Sequence, residues 1–420
     1  MPSSKQTLIS DVNTKGELTR LLQNLIRIPS DNPPGDTTKI AEFIHRYLSD
    51  HGIDSQIIET KKGIANIIAS VGEGKPHLVL NGHLDTFPSK VGEPWSISPY
   101  SGELKEGKIY GRGAGDMKGG LASLLYAFIK TAKMNLKGKL TFTGTSDEET
   151  GGEWGALWLI ENIPDVICDA VLNGEPSGLT IRIGEKSRVS IILKSRGKAA
   201  HGSFAGYVGE NAIMKMVKIL PLVEEFQGTP AKLTEDSLKL INEVMLGYKQ
   251  QYGHESNSMA NVLKEVTVNI GTIEGGSSDN IVPAYCKAKV DIRLPLGITP
   301  DEITEMIKEK IHKTDSTIII SWARPAKIVT EATYSSIDSN ITKILAQNHR
   351  DITQQEPLFS FTSGGTDCRF WRLKGIPALS YGPRVFGMGG VDEHIYEQNL
   401  TTTAQVHIGT IIDYLNRSNL

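Results

Sequence analysis

The chain has 420 residues, of which 39% are hydrophobic and 22% charged, and its formal net charge at pH 7 is -3. The length predicts two domains, and the balance of apolar and charged residues is that of a globular protein rather than a disordered one. The small negative charge gives no reason to expect nucleic acid or an anionic membrane surface as a partner, and no apolar run approaches the ~20 residues that span a bilayer.

The compartment is indicated by two further observations. The N-terminal stretch MPSSKQTLISDVNTKGE lacks the apolar core of a secretory signal. The cysteines Cys168, Cys286 and Cys368 lie far apart and in no metal-type spacing, which fits reduced thiols better than a disulfide framework. We therefore expect a cytoplasmic protein.

The first half of the chain alternates helix and strand patterns. Two amphipathic helix patterns, at 14–27 and from Asp36 to Gly52, are separated by SDNPPGD. The later run HLVLNG is nearly all apolar, as a central strand covered on both faces should be, and it leads into His83. The strand patterns KLTFTGTS and DAVLNG lead into Asp147-Glu148-Glu149 and Glu175, and the run GGEWGALWLIENI between them predicts a helix. Since ligands of open α/β sheets bind outside the carboxyl ends of the strands, we expect a site there.

A glycine-rich stretch, GRGAGDMKGG at 111–120, runs into an apolar helix pattern and contains Asp116. Its glycines do not fall at relative positions 1, 3 and 6, so the dinucleotide fingerprint is excluded, and no Gly-Lys-Ser/Thr follows for a phosphate loop. A purely structural turn stays open. The alternative is that Asp116 bridges a pair of divalent metal ions.

From about Ser187 the pattern changes to strands that alternate apolar and polar residues, typical of a half-exposed antiparallel sheet. The order strand-helix-strand-strand-helix-strand predicts a ferredoxin-like α+β module, after which the first domain resumes near Pro325. We therefore predict an α/β fold with a mixed sheet at 1–186 and 326–420, and an inserted α+β domain at 187–325.

Seven residues make up the candidate site: His83, Asp85, Asp116, Glu148, Glu149, Glu175 and His394. Two divalent ions that share a bridging carboxylate take such imidazole and carboxylate ligands. Asp85, two residues after His83, is placed to orient its ring. Because Glu148 and Glu149 point in different directions, one can bind metal while the other acts as general base. Any one of these residues alone is more often a surface carboxylate or a core histidine, but the joint pattern favours a site.

The motifs NGHLDTFP, GRGAGDMKGG, TGTSDEETGG and NGEPSG resemble, in order, those of a metal-dependent amidohydrolase family. Its members include acetylornithine deacetylase, succinyl-diaminopimelate desuccinylase, aminoacylase, bacterial glutamate carboxypeptidase and carnosine-type dipeptidases. The resemblance runs from about Leu18 to the C-terminus and implies a zinc-hydrolase catalytic domain with an inserted lid and dimerisation domain.

The resemblance also implies roles for the candidate residues. His83 and Glu175 would hold one metal ion, Glu149 and His394 would hold the other, and Asp116 would bridge them. A metal-bridging hydroxide would attack the amide, with Glu148 as the catalytic acid/base. Zn²⁺ is the preferred metal, with Co²⁺ or Mn²⁺ as substitutes. A cis peptide is expected after Asp116.

Four positions in the second half match substrate-binding positions of the family. Asn280 and Arg293 match lid positions that bind the substrate carboxylate, for which an arginine fork is suited. Gly365 and Thr366 match a loop near the site. In dimeric members the histidine that corresponds to His201 reaches into the partner's site, so a homodimer with His201 acting in trans is expected.

Two departures from the family pattern bear on function. Around His394, Arg384 replaces a glycine, the spacer is long, and the following acid, Glu397, comes three residues on rather than four. Where the desuccinylase has paired arginines at the start of the lid, this chain has Glu185-Lys186, which argues against succinyl-diaminopimelate.

The leading hypothesis is a two-metal amide hydrolase that deacylates a small N-acyl amino acid. The alternative is a dipeptidase or carboxypeptidase that acts on a short peptide with the same residues. From another class, a non-enzymatic binding protein that has lost its metals stays a lower-ranked hypothesis.

Overall fold

The computed structural model describes residues 5–90, 92–252 and 261–416. The strands are, in chain order, β1 (Gln56–Lys61), β2 (Ile64–Gly72), β3 (His77–His83), β4 (Leu104–Lys105), β5 (Lys108–Tyr110), β6 (Lys139–Thr145), β7 (Ala170–Asn173), β8 (Ile181–Glu185), β9 (Ser187–Arg196), β10 (Thr267–Gly275), β11 (Tyr285–Leu294), β12 (Ile319–Trp322), β13 (Thr333–Tyr334), β14 (Phe359–Thr362), β15 (Ala378–Ser380), β16 (Val385–Phe386) and β17 (His394–Tyr396). The α-helices are α1 (Lys5–Ser10), α2 (Glu17–Ile26), α3 (Thr38–Asp50), α4 (Gly120–Ala132), α5 (Trp158–Asn162), α6 (Ala212–Glu224), α7 (Glu235–Tyr252), α8 (Pro300–Thr314), α9 (Asn340–Thr353), α10 (Cys368–Leu373) and α11 (Glu397–Asn416).

These elements form two compact units. The first takes in the described residues of Met1–Gly184, Tyr334–Ser360 and Thr366–Leu420, and the second those of Glu185–Thr333 and Phe361–Gly365. Residues 185–186, 326–333 and 361–365 thus group with the second unit, whereas the sequence places them in the catalytic domain. The domain bounds themselves stay a prediction.

The first unit is built mainly on a nine-stranded mixed sheet, in the order β1-β2-β6-β3-β7-β15-β8-β13, with β14 beside β8. A smaller sheet has the order β16-β17-β5-β4. Strand β3 runs parallel to β6 on one side and to β7 on the other. All seven residues of β3 are buried, as expected of a central parallel strand. The nearly all-buried helix α4 packs against β3 and against α11. The apolar run that predicts a central strand is therefore confirmed.

A four-stranded antiparallel sheet forms the second unit, in the order β10-β11-β9-β12. Along β9 buried and half-exposed residues alternate, and the buried face packs with α6 and α8 around one apolar core. The element order of β9, α6, β10, β11, α8 and β12 is the ferredoxin-like order that the sequence predicts. The extra helix α7 lies between α6 and β10.

The largest departure from the predicted elements lies after β6. The sequence predicts one helix over GGEWGALWLIENI, but regular α-helix is confined to α5, and Gly155 within the preceding turn is non-helical. A Cβ at Gly155 would meet the Ser146 carbonyl oxygen at 1.7 Å, so close backbone contact displaces the helix. Within the described residues, no helix is both long and apolar enough to cross a bilayer.

Candidate metal centre

The strands that end in candidate residues are neighbours in the sheet. Parallel pairing places His83, the last residue of β3, opposite Thr145, the last residue of β6. On the other side of β3, Asn81 pairs with Asn173, two residues before Glu175. The carboxyl ends of β6, β3 and β7 therefore lie side by side at one edge, the position where open α/β sheets bind ligands.

The ring of His83 is buried, and a hydrogen bond at Nδ1 fixes its orientation. Its Nδ1–H donates to the main-chain carbonyl of Asp85 at 2.8 Å, which leaves Nε2 as the nitrogen able to bind metal. Nε2 lies 3.1 Å from Asp116 Oδ1 and 3.5 Å from Glu175 Oε1. The backbone carbonyl of Asp85 therefore accepts the hydrogen bond that orients the ring. The Asp85 carboxylate, which the sequence predicts in that role, has its Oδ1 3.6 Å from Nδ1.

The Asp85 carboxylate instead positions the turn that follows β6. Its two oxygens accept hydrogen bonds from the backbone N–H groups of Glu148 at 3.2 Å and Glu149 at 3.1 Å. Asn32 also donates to it, at 2.9 Å. Asp85 is fully buried, and burial raises the pKa of its carboxyl group against the opposing charge of His83. Asp85 therefore fixes the backbone position of both glutamates.

Asp116 lies in a turn between β5 and α4. Gly113 takes a left-handed φ of 76°, and Asp116 and Met117 have non-helical backbones. The peptide between Asp116 and Met117 is cis, as the resemblance implies. The backbone N–H groups of Gly115 and Asp116 donate to Glu393 Oε1 at 3.0 and 3.2 Å, so this turn is tied to the chain just before His394.

Two overlapping sets of metal-binding atoms result, each with all its atoms within 4.8 Å of one another. One set is His83, Glu148 and Glu175, and the other is His83, Asp116 and Glu149. Five of the candidate residues therefore converge at the sheet edge.

Without a cation these acids destabilise one another. Burial, followed by the charge of Asp116, raises the pKa of Glu149 to about 11 and that of Glu175 to about 8. Burial and the charge of Glu175 raise the pKa of Glu148 well above its ordinary value. For His83 burial acts the other way, but hydrogen bonding to Asp116 and the nearby carboxylates raise its pKa.

The donor chemistry fits divalent cations. Glu149 Oε1 is buried and has no hydrogen-bond partner among the described residues, and an orphaned carboxylate oxygen is costly unless something binds it. Positive charge placed among these carboxylates would lower their pKa values and satisfy that oxygen. Imidazole and carboxylate together suit zinc and related ions.

His394 belongs to neither set of donor atoms, among the residues described. It lies in β17, which pairs with β5 opposite Tyr110 and contacts the turn that carries Asp116. Its Nδ1–H donates to the Asp392 carbonyl at 2.8 Å, which leaves Nε2 open, and its ring stacks on Phe386. His407, the next histidine along the chain, is buried in α11, where its Nε2–H donates to the Tyr381 carbonyl, so it is a core histidine.

Sequence reasoning missed the residues that hold these ligands. The fully buried Arg112 and Glu393 form an ion pair of 2.7 Å. Asn32 binds Asp85, and Arg369 Nη1 lies 4.0 Å from Glu148 Oε1. Asn32 lies in the SDNPPGD break and Glu393 directly precedes His394. These adjacencies were the only signals, because the contacts join segments far apart in sequence.

The remaining predicted residues divide between the units. In the second unit His201 is exposed, and Asn280 accepts a hydrogen bond from Ser278. Arg293 donates to Asp291 and to the Ser363 carbonyl, and Gly365 is exposed. In the first unit Thr366 is buried, and its carbonyl accepts a bond from Arg369. Their roles toward a substrate stay predictions.

Comparison with known proteins gives one family match. The profile described as peptidase family M20/M25/M40 matches residues 79–413, which include the whole donor set and His394.

Curated relatives have low identity over most of the chain. A succinyl-diaminopimelate desuccinylase of Alteromonas mediterranea is 25% identical over 84% of this chain and 86% of its own length. A probable succinyl-diaminopimelate desuccinylase of Staphylococcus epidermidis is 27% identical over 70% of this chain and 71% of its own length.

Solved structures share the fold. A metallo-carboxypeptidase of Sulfolobus solfataricus superposes with a TM-score of 0.80 and 22% identity, covering 95% of this chain and 99% of its own. Human carnosine dipeptidase 1 superposes with a TM-score of 0.76 and 16% identity, covering 99% of both chains.

Proposed function

We propose that this chain, which belongs to the M20/M25/M40 peptidase family and is a hydrolase of amide bonds, removes the acyl group from a small N-acyl amino acid. The observation that carries the proposal is the pair of donor sets that share His83, one with Glu148 and Glu175 and the other with Asp116 and Glu149. The family is metal-dependent, and we propose zinc as its metal here, with cobalt or manganese as substitutes.

Five residues would hold two ions: His83 and Glu175 one, Glu149 and His394 the other, with Asp116 between them. Bound ions would supply Lewis acidity that polarises the amide carbonyl and acidifies an attacking water. His394 enters this set as a proposal based on its place beside the Asp116 turn and its open Nε2.

Glu148 would carry the proton. Its carboxylate is mostly buried, and burial with the charge of Glu175 raises its pKa in the metal-free protein. A bound cation would lower that pKa and leave the carboxylate ionised, ready to accept a proton. It would accept the proton of the attacking water on a carboxylate oxygen and deliver it to the nitrogen of the leaving amine. Arg369, 4.0 Å away, would keep the carboxylate oriented between these two transfers.

The second unit would supply substrate contacts. We propose that Arg293 and Asn280 bind the substrate carboxylate and that Gly365 and Thr366 line the loop beside it. His201 Nδ1 accepts a hydrogen bond from the Ser203 N–H at 3.3 Å, which leaves the proton of the neutral ring on Nε2, as an oxyanion donor requires.

A homodimer would bring His201 into the partner's site. The segment that follows His201 leaves large apolar side chains in solvent: Phe204 is 56%, Tyr207 93% and Val208 49% exposed. Clustered apolar exposure of this kind favours a protein contact. Light scattering of the purified protein should give the mass of two chains.

A second candidate function is a metallo-dipeptidase or metallo-carboxypeptidase. It is favoured by the names of the solved structures that share this fold, one a carboxypeptidase and one a dipeptidase. The curated relatives favour an acyl substrate instead.

A substrate panel tests the proposal. Metal-free protein is reconstituted with Zn²⁺, Co²⁺ or Mn²⁺ and offered N-acetyl amino acids, N-succinyl amino acids and dipeptides. Preferred release of acetate or succinate supports the deacylase, preferred dipeptide cleavage supports the alternative, and no hydrolysis with any metal contradicts both. Glu148→Gln, which removes the proton acceptor, is the matched negative control.

A further inference from the structure

Two arginines share one aspartate on the sheet of the second unit. Arg188 on β9 and Arg293 on β11 are direct cross-strand partners. Arg188 Nε donates to Asp291 Oδ1 at 3.0 Å, and Arg293 Nε and Nη2 donate to Asp291 Oδ2 at 3.2 and 3.1 Å. Asp291 therefore holds both guanidinium groups on the half-exposed face of the sheet.

The two guanidinium groups keep unused donors. Arg293 donates once more, from Nη1 to the Ser363 carbonyl at 2.8 Å, so three of its five N–H groups are engaged. Arg188 makes only its Nε bond within the described part of the chain. The side chains are 38% (Arg188), 24% (Arg293) and 25% (Asp291) exposed. A small anion can therefore reach donors that are already oriented.

The charges of this trio do not balance. Two guanidinium groups face one carboxylate, which leaves one net positive charge. Burial and the positive charge of Arg188 lower the pKa of Arg293, against the opposing charge of Asp291. Further along the same sheet face β9 and β11 carry four more basic residues and β10 carries one acid, Glu274, 3.9 Å from Lys287; the basic residues are Lys194, Arg196, Lys287 and Lys289. The local field thus attracts one more anion.

We propose that Arg188 and Arg293 together bind one carboxylate of the substrate, with Asp291 as the residue that positions both. The inference rests on the proposed function, which supplies a substrate with a free carboxylate and assigns Arg293 alone to it. A planar carboxylate suits two guanidinium groups, each of which donates along fixed directions. Arg188 becomes a specificity residue that separates free acids from their amides.

A purely structural role explains the trio less well. A partly exposed ion pair contributes only ~0–1 kcal/mol to stability. One arginine would satisfy Asp291, and a second places two like charges on directly paired strands, which is unfavourable. The arrangement is accounted for when an anion joins it.

Selectivity for a free carboxylate gives the test. The N-acyl amino acid that the substrate panel selects is compared with its C-terminal carboxamide, and kcat/KM for each is measured on wild type, R188Q, R188K and R196Q. Arg196, on the same strand and face, is the matched control. Affinities for both ligands are also measured by calorimetry on the metal-loaded E148Q background, with and without R188Q.

R188Q should lower the preference for the acid over the carboxamide by about ten- to a hundredfold, as expected for loss of a hydrogen bond to a charged group. R188K should recover part of the preference, and R196Q should keep all of it. R188K and R196Q should both have the melting temperature of the wild type. An unchanged acid preference in R188Q, in kinetics and in calorimetry, overturns the inference and leaves the proposed function standing. If the wild type hydrolyses no member of the panel, the proposed function and this inference are both contradicted.

Discussion

The buried ion pair between Arg112 and Glu393 offers the sharpest structural prediction. Both side chains are 1% exposed and 2.7 Å apart, and the other Glu393 oxygen accepts the backbone N–H groups of Gly115 and Asp116. Glu393→Gln keeps an oxygen for those N–H groups but sets an amide N–H against the guanidinium. Because a buried charge then lacks its partner, we expect unfolding to become easier by ~3–5 kcal/mol.

Urea unfolding of the metal-free protein measures this loss. The matched control is Glu305→Gln, which breaks the ion pair of Glu305 (61% exposed) with Lys308 (45% exposed). It should lower the free energy of unfolding by only ~0–1 kcal/mol. Adding Arg112→Met to Glu393→Gln removes the unpaired charge and should recover part of the loss. A cost for Glu393→Gln no larger than that of the exposed control would refute the reasoning.

Three further predictions concern the centre itself. Glu148→Gln should keep its metal content but lose ~10²–10⁴-fold in kcat; loss of metal instead would make Glu148 a ligand. In the metal-free protein Glu149 and Glu175 keep protons up to pH values of about 11 and 8, whereas their ordinary value is 4.5. The folded state therefore binds more protons than the unfolded state, and the free energy of unfolding should fall as pH rises from 4.5 to 8. Zn²⁺ should reverse that fall at pH 8, and a flat profile without metal would contradict the assigned shifts. Mixed Glu148→Gln and His201→Ala subunits should regain about a quarter of wild-type activity, because half of the dimers would be hybrids with one intact site; no recovery would count against action of His201 in trans.

Much of the fold could be predicted from local patterns. The apolar run HLVLNG predicts the buried strand β3, and the alternation from Ser187 predicts the antiparallel sheet of the second unit. Both patterns report burial, which depends on each strand's own side chains. The helix predicted after Glu149 is shorter in the structure, where Gly155 lies against the Ser146 backbone. Hydrophobic periodicity does not report a backbone contact of this kind, so the sequence could not predict it.

The sequence predicts which candidate residues lie together, but not the residues that hold them in place. His83 ends β3, and Glu148 and Glu175 come just after β6 and β7, so the sheet brings the three together. The hydrogen bonds from Asn32 to Asp85 and from Gly115 to Glu393 join residues 53 and 278 positions apart. Such contacts depend on tertiary packing alone, and no spacing rule indicates them.

Anomalous diffraction from crystals of the zinc-loaded protein tests the central claim most directly. We expect two zinc peaks ~3.5–4 Å apart, with Asp116 between them, His83 and Glu175 on one side, and Glu149 and His394 on the other. A single peak, or peaks bound by other residues, would contradict the two-metal centre.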